Sequence, residues 1–549
     1  MPSVKNILLA VGKPIQFAYC VLLSLISGLL SFAFIVFVNF LIHNLLINNN
    51  NEKNYKLILI FIILLACFVA FRKIFTSLLI KFSQRVFWYT RTDIASLMLQ
   101  ADYESFIRHK EALHASLVRD ANVLAAASVN VVQFSSSVVI ILASFVYMVL
   151  LSLPLFVCTC VVLLLGILKY STNMKQNQSH FTRSQELEDA FILSFNSLLY
   201  GFKEISLAPD KGKDIMNLEI RTVESKAIIS NYNAYVGFLN NQITGQLLFN
   251  CLTGIILLGF ANWLKLQAST IMSFMFVLLY VLSATESVMV MLPSLVQAKV
   301  SLNRLAALKE VLGREQGVIE TARIPAPLTD FREIELASIV YTHYEPQGAP
   351  SFSVGPVNLK IFKGEIIFIY GGNGSGKTTF ILSLLGLLKP TQGAVFCDNR
   401  LIQPADYENY RALFSAVFND FYLFNKLFGI PQIEGELVRY YIELFELGDK
   451  VTYDKQAFST RDLSTGQRKR LALITSLLEQ KPILVLDEWA ADQDPYFRKK
   501  FYTEILPLLK KAGFTIVAIT HDDKYYNCAD RIFEMDYGKL RQVWLESFT

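Results

Sequence analysis

Six long apolar stretches dominate the chain up to Leu312. Windows of about 19 residues on a transfer scale place them at 16–41, 57–80, 130–151, 153–170, 247–264 and 269–292. Each approaches the ~20 residues that a helix needs to cross a bilayer core of about 30 Å. The connections are unequal. Ser152-Leu153-Pro154 and Asn262–Ala268 leave room only for turns. The connections 80–129 and 169–246 are long, poor in Gly and Pro, and apolar at helical spacing. They predict membrane helices that continue well beyond the lipid. After Leu312 the pattern changes. Gly313–Asp330 is polar, contains Pro325 and Pro327, and predicts a linker. From Phe331 onward, short apolar runs such as Glu365–Tyr370, Ile483–Leu486 and Phe514–Thr520 alternate with helical stretches, the pattern of an α/β domain. The chain therefore divides into a six-helix transmembrane domain at 1–312, a linker at 313–330 and a second domain at 331–549.

Charge sets the expected orientation. Lys81, Arg85, Arg91, Arg108, Lys110 and Arg119 occupy one long connection, and a further eight Lys and Arg residues from Lys169 to Lys226 occupy the other. The turn at 152–154 has none, that at 262–268 has only Lys265, and Asn48–Lys56 has Lys53 and Lys56. The positive-inside rule puts both long connections and both chain ends in the cytoplasm. Lys5 and Lys13 precede the first apolar run, but that run extends from about Ile15 to Leu46, longer than a cleaved signal core. A retained first membrane helix is expected, with no peptidase domain before it.

Composition agrees. Hydrophobic residues make up 53% of the 549 and charged residues only 18%, against about 25% charged in soluble domains. The net charge of +5 is modest and no basic tail is present, which argues against a nucleic-acid partner. The seven cysteines suit neither a zinc site nor a disulfide framework. Within the apolar spans, Glu286 interrupts the sixth, and Arg72 and Lys73 interrupt the second. Intramembrane charges are costly and face a cavity or a partner, so these three are candidates for lining a polar cavity, with helix pairing and boundary positions as the alternatives.

The candidate chemistry lies in the second domain. Gly371-Gly372-Asn373-Gly374-Ser375-Gly376-Lys377-Thr378 fits the phosphate-loop pattern, entered by the run Ile366–Tyr370 and left by an expected helix over Thr379–Leu388. Backbone N–H groups and a helix N-terminus cradle phosphates there. Lys377 reaches the β- and γ-phosphates, and the Thr378 hydroxyl is a candidate Mg²⁺ ligand, with Thr379 beside it. Ile483–Leu486 ends in Asp487-Glu488. Asp487 is the second candidate Mg²⁺ ligand, and Glu488 is placed to act as base toward water. Leu463-Ser464-Thr465-Gly466-Gln467 precedes a basic helix start, Arg468-Lys469-Arg470, and also fits a helix capping box. His521 follows the run Phe514–Thr520.

Taken together, these motifs resemble those of ABC transporters with a membrane domain fused to an ATP-binding cassette, and the resemblance spans essentially the whole chain. Residues 463–467 resemble the LSGGQ signature, with Thr465 at its third position. The segments Tyr410–Phe418 and Asp487–Pro495, with Trp489 where most cassettes have Pro, look like the cyclic-peptide and siderophore exporter branch that includes pyoverdine, syringomycin-type and microcin exporters. The resemblance implies that His521 contacts the γ-phosphate, that Asp494 closes the D-loop, and that an aromatic stacks on adenine. Tyr344 is the first choice for that stack, with His343 and Tyr341 as neighbours. Most cassettes carry a Gln where this chain has Asn419, followed by Asp420; either is a candidate metal ligand. The segments Asp102–Leu113 and Leu199–Leu207 resemble the two coupling helices. One cassette implies a second copy, hence a homodimer in the bacterial cytoplasmic membrane that binds ATP and Mg²⁺ and exports a peptide-like or siderophore-like molecule. A heterodimer is the lesser alternative, and lipid or glycolipid flippases share the architecture.

Overall fold

The computed structural model describes residues 14–47, 55–260, 267–313, 328–344, 349–430, 433–454 and 456–544. Much of the expected linker, the loop after the first span and the turn before the last therefore lie outside the described residues. The chain forms two units. One comprises Met1–Ala101 and His109–Leu312, and the other comprises Asp102–Arg108 and Gly313–Thr549.

Among the described residues, the first unit is built of helices and short connections. Its helices are α1 (Pro14–Ile47), α2 (Tyr55–Gln100), most of α3 (Tyr103–Ala115), α4 (Ala121–Leu151), α5 (Leu153–Tyr200), α6 (Phe202–Leu207), α7 (Pro209–Asp214), α8 (Arg221–Ile255) and α9 (Ala268–Gly313). Single π-type turns at Ser116–Asp120, Ile215–Ile220 and Ile256–Phe260 extend α4 and α8. Among the described residues, five helical stretches are long and apolar enough to cross a membrane, and α5 adds the shorter apolar stretch Leu153–Gly166. As predicted from spacing, α2 and α5 run without interruption from apolar to charged sequence.

Ile58, Leu59, Ile62, Ile63 and Val69 of α2 are exposed, which suits a face turned to lipid rather than water. Inside, small residues let helices approach. A Cβ on Gly28 of α1 would lie 2.9 Å from the Ser136 carbonyl of α4. Beyond the apolar layer, charge replaces burial as the fastener. Asp189 of α5 takes Arg119 at 2.9 Å and Arg304 of α9 at 3.1 Å. Ser301 donates to the buried Asp120 at 2.9 Å.

The second unit is built on two sheets. The strands of the first are β1 (Glu333–Tyr344), β2 (Pro350–Phe362), β4 (Gln392–Cys397) and β5 (Arg400–Leu401), all antiparallel in the order β2-β1-β4-β5. Those of the second are β3 (Ile366–Tyr370), β6 (Phe414–Val417), β9 (Ile483–Asp487), β10 (Thr515–Ile519), β11 (Arg531–Asp536) and β12 (Lys539–Val543). They lie in the order β12-β11-β3-β10-β9-β6. All neighbours in this six-stranded sheet are parallel except the β11–β12 hairpin. The central strands are apolar throughout because both faces are covered. Ile367, Ile369, Ile483 and Val485 face one core, with α10 (Lys377–Leu384) and α11 (Tyr407–Arg411). Ile366, Phe368, Leu484 and Leu486 face the other, with helices α12 (Gly435–Leu444), α13 (Thr465–Leu478), α14 (Pro495–Lys500) and α15 (Leu506–Lys511). A small hairpin joins β7 (Tyr453–Asp454) to β8 (Ala457–Phe458).

The segment 102–108 belongs to this second unit. Asp102 pairs with Lys389 at 3.3 Å, and the Tyr341 hydroxyl donates to the Glu104 carboxylate. Helix α10 starts two residues earlier than the apolar pattern predicts and stops earlier too. Gly376 adopts the left-handed conformation before it, and Gly386, also left-handed at φ 66°, follows its end.

Candidate functional site

Three neighbouring strands end at one level, and their ends carry the candidate chemistry. The register pairs Ile369 of β3 with Ile519 of β10, and Ile519 with Asp487 of β9. The phosphate loop, Glu488 and His521 therefore leave the sheet side by side, at the carboxyl edge where parallel sheets take ligands.

The loop 371–376 is shaped by backbone needs. Gly376 stands at φ 103°, and a Cβ there would meet Val354 Cγ2 at 2.7 Å. Gly372, Asn373, Gly374 and Thr378 are exposed, whereas Ser375 is buried with its Oγ unpaired among the described residues. Lys377 folds back over the loop. Its Nζ donates to the Gly371 carbonyl at 2.8 Å and the Gly372 carbonyl at 3.1 Å, and lies 4.0 Å from Glu488 Oε1. The Thr379 hydroxyl is engaged with His343 Nε2 at 3.1 Å.

Asp487 is buried at the end of β9. Burial first, and then the charge of Glu488, push its carboxyl above the ordinary range. The Asn419 backbone N–H and the Lys469 ammonium oppose the rise, and Asp420 adds to it. Glu488 sits in the left-handed region at φ 50°, ψ 35°, a conformation that costs a non-glycine residue about 1–3 kcal/mol. Its N–H donates to the Ile519 carbonyl at 3.2 Å. Its carboxylate lies 3.3 Å from His521 Nε2.

The three aromatic alternatives for adenine stacking separate clearly. Tyr341 is buried edge-on to His343, at 4.9 Å between ring centres. Its hydroxyl is pushed up to about 12, chiefly by burial and then by Glu104. His343 is tied to Thr379. Tyr344 is 58% exposed and presents its ring at the end of β1.

The signature lies apart. Ser464 caps α13 through reciprocal bonds with Gln467 at 3.4 and 3.2 Å. Leu463 packs on the core beside it, Thr465 is exposed, and Gly466 is narrow for a local reason. A Cβ there would lie 2.7 Å from the Asp492 carbonyl, and Gln493 Nε2 donates to the Gly466 carbonyl at 3.1 Å. Asp494 caps α14 by accepting from the Phe497 N–H at 2.9 Å, and pairs with Arg470 at 2.8 Å. The Phe497 amide, then Arg470, holds its carboxyl below the usual range. Among the described residues, no hydrogen bond or ion pair joins 463–467 to the phosphate loop.

One residue escaped the sequence reading. Lys469, within a run of three basic residues, is inside the protein, and its Nζ reaches Asn419 Oδ1 at 3.0 Å. The available signal was helical phase, since Ala472, Leu473 and Ser476 share its face.

A family model described as ABC transporter matches residues 354–491. The ATP-binding protein SyrD of Pseudomonas syringae pv. syringae is 32% identical over 401 residues, covering 71% of each chain. The chain belongs to the ABC transporter family. Other transport ATP-binding proteins match over shorter lengths. The putrescine transport ATP-binding protein PotG of Escherichia coli (strain K12) is 29% identical across 41% of this chain and 59% of its own. Among solved structures, a bacterial Atm1-family ABC exporter with ATP bound superposes with a TM-score of 0.80 at 15% identity, covering 96% of this chain and 95% of that one. The fold is thus that of an ABC exporter, and the family's activity is ATP hydrolysis coupled to transport.

The donor set suits a hard divalent cation. Thr378 offers an exposed hydroxyl, and Asp487 offers a carboxylate whose charge is unfavourable until a cation offsets its burial and its neighbour Glu488. The Asn419 Oδ1 already accepts from Lys469.

Proposed function

We propose that the protein is one half of a homodimeric exporter in the bacterial cytoplasmic membrane, and that it moves a peptide-like or siderophore-like amphiphile out of the cytoplasm. The observation that carries the energy-coupling part is the alignment of the phosphate loop, Asp487-Glu488 and His521 on three adjacent strand ends, with the signature held on another helix. That separation supports a site completed by the signature of a second copy.

Each residue has a task in this reading. Lys377 and the loop N–H groups take the β- and γ-phosphates, and Tyr344 stacks on adenine. Glu488 accepts a proton from water as the water oxygen bonds to the γ-phosphorus and the bond to the β-bridging oxygen breaks, giving ADP and phosphate. His521 orients Glu488 and contacts the γ-phosphate. Thr378 and Asp487 would hold Mg²⁺, which when bound would supply positive charge beside the phosphate oxygens. Ser464, Gly466 and Asp494 act across the dimer.

For the cargo, the membrane unit offers a cavity of about 450 Å³ between α4, α5, α8 and α9, with Phe145, Leu163, Met289 and Glu286 in its lining. Its surface is almost wholly apolar; Gln242, Gln246 and Thr285 also line it, and Glu286 is its one carboxylate, with Oε1 accepting from Gln246 Nε2 at 2.6 Å. That pairing of an apolar chamber with one carboxylate fits an amphiphile. Arg72 and Lys73, in contrast, lie on the exposed face of α2 beside Thr76 and Ser77. The segment likeness at Tyr410–Phe418 and Asp487–Pro495 favours a peptide over a lipid.

The test uses purified protein in lipid discs. ATPase activity should rise several-fold with cyclic peptides or siderophores, and Glu286→Ala should lower that stimulation while leaving basal turnover in place. Stimulation by lipids alone would assign the protein to the flippases instead. Unchanged peptide stimulation in Glu286→Ala would remove the cavity from the cargo path.

A further inference from the structure

Lys469 lies in the second turn of α13 with only 1% of its side chain exposed. An ammonium has three protons to donate, and three oxygens surround this one. Asn419 Oδ1 is at 3.0 Å, the Glu488 carbonyl at 3.1 Å and Asp492 Oδ2 at 2.7 Å. Those acceptors come from three separate pieces of chain. Asn419 follows β6, Glu488 follows β9, and Asp492 ends the turn before α14. The main chain adds another tie, since the Trp489 indole donates to the Lys469 carbonyl at 2.8 Å.

A buried cation is expensive to desolvate, and a well-packed apolar side chain of similar size often stabilises more. Packing alone therefore does not account for a lysine here; what it holds does. One acceptor is the carbonyl of Glu488, whose left-handed backbone aims its carboxylate at His521. Another is the side chain of Asn419, whose backbone N–H binds Asp487. Chain length points the same way. Asn419 is one methylene shorter than the Gln that the resemblance to other cassettes leads one to expect there, and the long Lys469 side chain meets its Oδ1 at 3.0 Å.

We infer that Lys469 is a positioning residue for ATP hydrolysis. It holds the amide of Asn419 and the backbone of Glu488 in register with the turn at Asp492, and its reach is matched to the short Asn419. This assignment rests on the family's ATPase activity and is independent of the cargo.

The experiment compares Lys469→Met, Lys469→Gln, Asn419→Gln and the paired Lys469→Gln/Asn419→Gln in full-length protein in lipid discs. Steady-state hydrolysis gives kcat and KM, and a fluorescent ATP analogue gives nucleotide affinity. Lys469→Met should lower kcat about tenfold or more, while KM and nucleotide affinity stay within about threefold. Each single Gln variant should also lose turnover, one by falling short and the other by overfilling. The paired variant, which shortens one side and lengthens the other, should recover to within about threefold of the parent. A Lys469→Met protein that keeps its kcat would overturn the assignment. So would a paired variant no faster than Lys469→Gln alone, because a merely structural lysine is not rescued by lengthening Asn419. If Lys469→Met does not fold, that second comparison decides the question by itself.

Discussion

Asp487 carries a conflict between stability and use. Its carboxyl is pushed above the ordinary range by burial and by Glu488, so the folded, nucleotide-free cassette binds that proton more tightly than the unfolded chain does. The sign follows from linkage. The stability contributed by the protonated form is present below the ordinary carboxylate pKa and is lost as pH rises through the raised folded value. Asp487→Asn should therefore raise the unfolding temperature of the nucleotide-free protein at neutral pH by about 2 °C, with a smaller gain near pH 4, while hydrolysis disappears. Scanning calorimetry beside an ATPase assay checks both; a lower unfolding temperature at neutral pH would contradict the burial argument. Asp487 and Glu488 were legible in the sequence because an apolar run that ends in two acids, downstream of a phosphate loop, marks a buried strand delivering carboxylates to a sheet edge. Lys469 was not. A lysine between two arginines reads as solvated; helical phase, which sets it on the face of Ala472, Leu473 and Ser476, pointed the other way, and the packing of α13 against β6 makes that face internal.

At the level of elements, hydrophobic period did most of the prediction. The uninterrupted α2 and α5 and the strands β3, β9 and β10 follow from it, because both membrane helices and doubly covered strands are written as apolar runs. Ends were less legible, since they depend on backbone conformation. Left-handed glycines on either side of α10 moved both of its boundaries relative to the apolar pattern. Gly466 shows the same dependence on three dimensions. The family pattern makes it a phosphate-facing glycine, yet within this chain it is also where α13 meets the Asp492 carbonyl. Gly466→Ala should consequently destabilise the cassette by about 1–3 kcal/mol as well as slow hydrolysis. Denaturant unfolding measures the first effect, and unchanged stability would show that the turn 489–492 yields freely.

For the whole molecule, the sequence indicated a fused transporter but not how its parts exchange material. In the proposed homodimer each phosphate loop would meet the signature of the other copy. With the seven native cysteines replaced, Asn373→Cys and Thr465→Cys in one chain should form a disulfide between copies when ATP is present and hydrolysis is blocked by Glu488→Gln. A monomer on a non-reducing gel would argue against the two-copy site. The seven residues 102–108 carry a different implication. They sit between α2 and the rest of α3 in sequence, yet belong to the cassette unit, where Glu104 receives the Tyr341 hydroxyl and Asp102 pairs with Lys389. The functional border is thus not a single cut in the chain. A cassette exchanged with that of a relative at Gly313 alone would arrive facing a foreign 102–108, so these two pieces behave as one heritable unit, and substitutions at Tyr341 or Lys389 are constrained by a segment more than two hundred positions away.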